Sequence, residues 1–79
     1  MNGIEEKIKN IIADILEVST EEIKEDTAIG DIVLWDSLHH LRIIAEVEKT
    51  FSVRFTPDVM IELEDVGDIV AAVETRIGK

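Results

Sequence analysis

The sequence predicts an all-α fold, a small four-helix bundle with three longer helices, a short third helix and a long loop between helices 1 and 2. Apolar residues recur at helical spacing in several segments, and no two alternating segments are available to pair as a sheet. A chain of 79 residues with 46% hydrophobic content can bury only one thin core. We therefore expect a single domain over residues 1–79.

The first helix is indicated by isoleucines and a leucine that recur three and four residues apart from Ile4 to Leu16, with polar residues between them. We expect this helix to end near Glu17. The segment 19–23 then begins Ser-Thr-Glu-Glu, which resembles a capping box and predicts one short turn.

The helical periodicity disappears between residues 24 and 36, so we predict a loop there. Ile29, Ile32 and Leu34 are expected to attach this loop to the core. A connection of this length is uncommon in so small a domain, and long loops often carry function.

The second helix is predicted to begin at Asp36-Ser37 and to end near Thr50. The more solvent-exposed face of this helix is expected to carry Arg42, Glu46 and Lys49. The segment 51–55 alternates like a strand, but it has no partner and is predicted to be a connection. The apolar stripe of the helix is predicted to consist of Leu38, Leu41, Ile44, Ala45, Val47 and Phe51.

Two further helices are predicted from start and stop signals. Thr56 is a suitable cap for a short third helix over residues 57–63, whose first residue is a proline. Asp65 is expected to cap a fourth helix over residues 66–77, which Gly78 would end. The side chains of this helix predicted to point inward are Ile69, Val70, Val73 and Ile77.

The composition excludes several classes of function. Eighteen acidic residues against eight basic ones give a net charge of −10, which argues against binding nucleic acid or an anionic membrane surface. The chain has no cysteine for a disulfide or a thiolate metal site. No apolar run approaches the roughly 20 residues that cross a bilayer, and the start lacks the features of a secretory signal. We expect a cytoplasmic monomer without membrane insertion.

The segment Leu34-Trp35-Asp36-Ser37-Leu38 is the most informative part of the sequence. Its serine lies at the predicted start of a helix, after a long loop. A helix N-terminus has unpaired backbone N–H groups and partial positive charge, so a phosphodiester on the Ser37 hydroxyl would be well placed. Leu38 would offer an apolar contact beside it. The alternative is that Ser37 is an ordinary helix cap.

The chain resembles the acyl carrier protein family, whose attachment motif Asp-Ser-Leu opens the second helix and here reads Asp36-Ser37-Leu38. The resemblance covers the order of the helices, the long loop and the Glu-Lys-Thr-Phe that ends the second helix. It implies that a phosphopantetheinyl transferase attaches 4'-phosphopantetheine from coenzyme A to Ser37. It also implies that the arm's thiol carries acyl groups as thioesters between acyl-loading and acyl-transferring enzymes.

The sequence does not suggest an enzyme or a metal site. We find no nucleophile with a base at a suitable spacing, no phosphate loop and no metal-ligand cluster. His39 and His40 are adjacent on a helix and point about 100° apart, so they cannot readily hold one metal. His40 is expected to face solvent or a docking partner, with a place near the arm's phosphate as the alternative.

Two departures from the family suggest a carrier for a specialised pathway, such as polyketide, modified-lipid or cell-surface glycan assembly. The first departure is the charge of the second helix, which is usually acidic in housekeeping fatty-acid carriers but carries basic residues in this chain. The second departure is Trp35, which replaces the small or flexible residue more usual in fatty-acid carriers. It either covers the core from the loop side or is an exposed anchor for partners. An aminoacyl or peptidyl carrier and an unmodified helical adaptor remain alternatives. The predicted docking residues are Trp35, Leu38, His39, Leu41, Arg42 and Ala45.

Overall fold

The computed structural model describes residues 3–77 and contains four α-helices and one 3-10 turn. The helix α1 packs against both α2 and α4. Within residues 3–77 there is no β-strand, only an isolated antiparallel bridge between Ala28 and Asp65. The predicted all-α class with a short third helix is confirmed. The bounds are Gly3–Leu16 for α1, Thr20–Glu22 for the 3-10 turn, Ser37–Phe51 for α2, Pro57–Glu62 for α3 and Val66–Arg76 for α4.

The core consists mainly of branched aliphatic side chains from α1, α2 and α4, with one large aromatic ring from the loop. Burying one such aliphatic side chain completely contributes about 1.5–3 kcal/mol, so this small set supplies most of the stabilisation. The largest fully buried side chains are Trp35, Ile8, Ile12, Leu16, Ile43, Ile44, Ile69, Val47, Val66 and Val73.

The buried face of α2 differs from the predicted stripe. Leu38 is 66% exposed and Leu41 is 59% exposed, and Ala45 is also exposed. Helical spacing explains the error, because one face of a helix with 3.6 residues per turn cannot contain all six predicted positions. The side chains of α2 that are fully enclosed are Ile43, Ile44 and Val47.

Two helix starts use aspartate side chains as caps. The Asp36 carboxylate accepts a hydrogen bond from the His39 amide, and the Asp65 carboxylate accepts one from the Asp68 amide. Each cap of this kind typically contributes about 1 kcal/mol. Thr56 precedes α3 as predicted, but its side chain makes no capping hydrogen bond there, which corrects that expectation.

The end of α4 lies one residue earlier than predicted. Arg76 is its last residue, and Ile77 is the C-cap with a side chain that is 42% exposed, so Ile77 does not point inward. The Arg76 guanidinium instead binds the end of the connection after α2. Its Nε donates to the Arg54 carbonyl at 2.9 Å, and it lies 5.7 Å from the centre of the Phe55 ring. Gly78 lies outside the described residues.

The long loop is attached to the start of α4 by backbone hydrogen bonds. The Val66 amide donates to the Thr27 carbonyl at 3.0 Å, and the Gly67 amide donates to the Glu25 carbonyl at 2.9 Å. The Ile29 amide also donates to the Glu64 carbonyl at 3.0 Å. These bonds fix the loop on the bundle, and so fix the direction from which the chain enters α2.

The loop's apolar side chains divide into two groups. Ile29 and Ile32 are partly buried against the core, as predicted. Leu34 is 38% exposed and Val33 is 95% exposed, so the prediction that Leu34 attaches the loop is wrong. The loop therefore presents two apolar side chains to solvent just before the attachment motif.

Candidate functional site

Ser37 is the first residue of α2, and its side chain is exposed. The preceding Asp36 has an extended backbone with φ −108° and ψ −174°, which lets its carboxylate fold back over the first turn. The His39 amide donates to Asp36 Oδ1 at 2.9 Å. The segment therefore presents the serine hydroxyl at the surface while its neighbour caps the helix.

The first amides of α2 remain available to an anion. Within residues 3–77 the Ser37 and Leu38 N–H groups have no protein acceptor, whereas the His39 and His40 amides donate to Asp36. Unpaired N–H groups and the helix dipole make this end partially positive. A phosphodiester on Ser37 Oγ would lie beside these groups, so the residues present fit such a modification.

One oxygen of the Asp36 carboxylate is held twice by His39. Its Oδ1 accepts from the His39 amide and lies 2.8 Å from the ring Nδ1 of the same residue. The backbone hydrogen bond and then the side-chain hydrogen bond from His39 lower the pKa of Asp36 below its ordinary value. A carboxylate with a lowered pKa is a weak base, so Asp36 is a capping group and is unsuited to activating Ser37 itself.

Trp35 is buried, with only 1% of its side chain exposed. Its Nε1–H donates to His40 Nδ1 at 2.9 Å, and the two rings stack with centres 5.9 Å apart. The Trp35 carbonyl accepts from the Gly30 amide at 2.9 Å. The interpretation of Trp35 as a cover over the core is confirmed, and the alternative of an exposed anchor for partners is wrong.

His40 is half-buried, and its ring packs against Trp35. An indole N–H only donates, so His40 Nδ1 must accept and the neutral ring carries its proton on Nε2. That Nε2 is enclosed and has no hydrogen-bond partner within the described chain. The expectation that His40 faces solvent or a partner is therefore wrong, because the ring closes over Trp35. No local sequence signal gave this pairing, which needs the loop to fold back on the helix.

The other predicted docking residues lie at the surface of α2. Leu38, Leu41, Arg42 and Ala45 are exposed, and His39 is half-buried against Asp36. Exposure makes these side chains accessible to a partner but does not identify one. Their docking role stays a prediction.

Neither metal binding nor membrane crossing is indicated by the described residues. Between residues 3 and 77 no three histidine, aspartate or glutamate side chains cluster as metal ligands. His39 and His40 also have different partners, as their separation around the helix predicts. In the same part of the chain no helix has the length and apolar character to cross a membrane.

Comparison with known proteins decides the family. The sequence model described as "phosphopantetheine attachment site" matches residues 6–73. The chain belongs to the acyl carrier protein family. It is 32% identical over 74 residues to the acyl carrier protein of Chlamydia trachomatis, covering 94% of this chain and 96% of the relative. It is 37% identical over 75 residues to the acyl carrier protein of Streptococcus pyogenes, covering 90% and 92% of the two chains.

A segment of a much larger protein is also similar. The chain is 29% identical over 73 residues to a non-reducing polyketide synthase of Emericella nidulans, which corresponds to 92% of this chain and 3% of that protein. Family membership implies covalently bound 4'-phosphopantetheine and the shuttling of acyl groups between enzymes. It also confirms the expectation of a carrier rather than a catalyst.

Proposed function

We propose that Ser37 is the residue that carries 4'-phosphopantetheine and that this carrier serves a dedicated pathway rather than general fatty-acid synthesis. The observation that carries the first part is the exposed Ser37 at the first position of α2, inside the family match over residues 6–73. When bound, the arm supplies a terminal thiol to which acyl groups are attached as thioesters.

Three residues have separate roles at the attachment point. Ser37 Oγ forms the phosphodiester, and the free amides of Ser37 and Leu38 lie next to that negative charge. Asp36 holds the first turn of α2 through the His39 amide. Leu38, which is 66% exposed, provides apolar contact to the enzyme that approaches Ser37.

Mass spectrometry of proteolytic peptides tests the attachment residue. The chain contains two other serines, Ser19 and Ser52, which serve as matched controls. After incubation with coenzyme A, magnesium and a broad-range transferase, the arm should be found on the peptide that contains Ser37. Ser19→Ala and Ser52→Ala should leave attachment unchanged. Attachment to a peptide without Ser37 would overturn the assignment.

The charge on α2 supports the dedicated pathway. Arg42 and Lys49 are exposed on this helix, and of its two acids Glu48 is bound to the Phe55 amide at 2.8 Å. An enzyme whose docking surface is basic should therefore bind this carrier poorly, because like charges would be brought together.

Reconstitution with purified fatty-acid synthase enzymes tests the pathway. We expect the holo form to be elongated at least about tenfold less efficiently than a housekeeping carrier, the equivalent of losing about 1.4 kcal/mol of docking energy. Equal efficiency would contradict a dedicated role. Loading with a panel of acyl and amino acids separates acyl carriage from the aminoacyl alternative.

A further inference from the structure

The outward face of α2 includes a row of four side chains. With 3.6 residues per turn, positions 38, 42, 45 and 49 align along the helix, on the side opposite the buried Ile43, Ile44 and Val47. All four side chains of the row are exposed. This row, called the outer ridge below, consists of Leu38, Arg42, Ala45 and Lys49.

The outer ridge is cationic in a protein of net charge −10. Neither Arg42 nor Lys49 forms an ion pair within residues 3–77. Lys9, by contrast, pairs with Glu5 at 3.0 Å. The ridge's two cations are therefore unused by the fold.

The acidic groups nearest the outer ridge form no ion pair with its two cations. Glu48 points its carboxylate to the Phe55 amide on another side of α2. Asp14 and Glu46 line a groove between α1 and α2 together with both ridge cations, yet neither lies within ion-pair distance of them.

An enzyme that reaches Ser37 is close enough to cover the outer ridge. Arg42 lies about 6 Å along the helix from Leu38, and Lys49 lies about 16 Å from it. A standard protein interface buries about 800 Å² on each partner, which is enough to extend over this distance. Covering an unpaired cation removes its hydration and costs several kcal/mol unless the partner supplies an opposite charge.

We propose that the outer ridge docks partner enzymes whose carrier-binding surface has an apolar recess for Leu38 and two carboxylates about 10 Å apart for Arg42 and Lys49. The same ridge disfavours partners with a basic surface. This inference rests on the proposed carrier function. The net charge of −10 repels an acidic partner at a distance, but salt screens that repulsion beyond about 10 Å at 0.1 M, so recognition occurs at short range.

Reversing the charges on the outer ridge and on the rim of one transferase tests the proposal. The probes are a broad-range phosphopantetheinyl transferase with a basic rim around its carrier site, and a version in which two rim residues are replaced by glutamate. Wild-type carrier is compared with R42E/K49E. The matched control is K7E/K24E, which makes the same charge change at two exposed residues on α1 and in the loop.

The expected result is an inversion of preference. Wild type and K7E/K24E should gain at least about tenfold in kcat/KM when the rim becomes acidic, and R42E/K49E should lose a similar factor. The same preference in R42E/K49E as in K7E/K24E would overturn the proposal.

Binding without transfer separates this proposal from the carrier function. The Ser37→Ala forms of the same variants are titrated with both transferases, and amide shifts in 15N NMR spectra report contact with the ridge. If the wild-type carrier gains no arm on Ser37 while the Ser37→Ala forms show shifts that follow the ridge charges, the carrier function alone is refuted. Absence of ridge shifts with the acidic-rim transferase would refute the docking proposal.

Discussion

The indole N–H of Trp35 donates to His40 Nδ1 at 2.9 Å, and this bond passes across the short segment that contains Ser37. It joins the end of the long loop to the first turn of α2. The stacked rings and the bond from the Gly30 amide to the Trp35 carbonyl hold the loop in the same place. The position of Ser37 is thus determined from both sides, while its own side chain remains at the surface.

Trp35→Phe should reduce the free energy of unfolding by about 1–3 kcal/mol. The change removes the donor that His40 Nδ1 has within residues 3–77, and it leaves a cavity where the larger, fully buried indole lay. Urea denaturation followed by circular dichroism measures it. The control is Leu41→Ala on the exposed side of α2, which should cost no more than about 0.5 kcal/mol. Equal losses in the two variants would contradict the role given to Trp35.

Helical periodicity predicted the order and approximate bounds of the helices because their apolar residues recur at helical spacing, and aspartate caps mark the starts of α2 and α4. It did not predict which face of α2 is buried. Leu38 and Leu41 are as apolar as the buried Ile44, so composition alone could not show that they are exposed. The contact between Trp35 and His40 also could not be predicted from the sequence, since it depends on the path of the loop. The place of Ser37 at the first position of α2 could be predicted, because the signals for the start of this helix lie in the local sequence.

The pKa of Asp36 should lie below its ordinary value in the native protein. A lowered pKa stabilises the fold above the unfolded-state value of about 4, and this contribution is lost as pH falls through the native value. NMR titration of the carboxyl measures the native pKa. His39→Ala should raise it only in part, because the backbone amide that has the larger effect remains. An unchanged pKa in this variant would show that the ring does not bind Asp36 in solution.

Added salt or millimolar magnesium should raise the melting temperature. Ten net negative charges on a thin core repel one another, and screening or ion binding reduces that repulsion. A gain of about 1 kcal/mol would appear as a shift of about 4–8 °C in a domain of this size. Melting curves at matched ionic strength separate general screening from magnesium binding. Curves unaffected by either salt would refute the idea.

Gly30→Ala should destabilise the loop by about 1–2 kcal/mol. Gly30 has φ +95°, a conformation that L side chains rarely adopt, although a new methyl group would meet no atom within 4 Å. The cost is therefore one of backbone strain. Gly67→Ala is the matched control, since its new Cβ would make only an ordinary contact 3.5 Å from the Glu25 carbonyl oxygen. Thermal melts of both variants should show a loss for Gly30→Ala alone.

We propose that this carrier bears its cargo on Ser37. The most direct measurement is the intact mass of the protein after incubation with coenzyme A, magnesium and a transferase, and again after an acyl donor is added. Wild type should gain one arm and then one acyl group, while a folded Ser37→Ala variant should gain neither. An arm on the Ser37→Ala variant, or no arm on the wild type with any transferase tested, would contradict the claim.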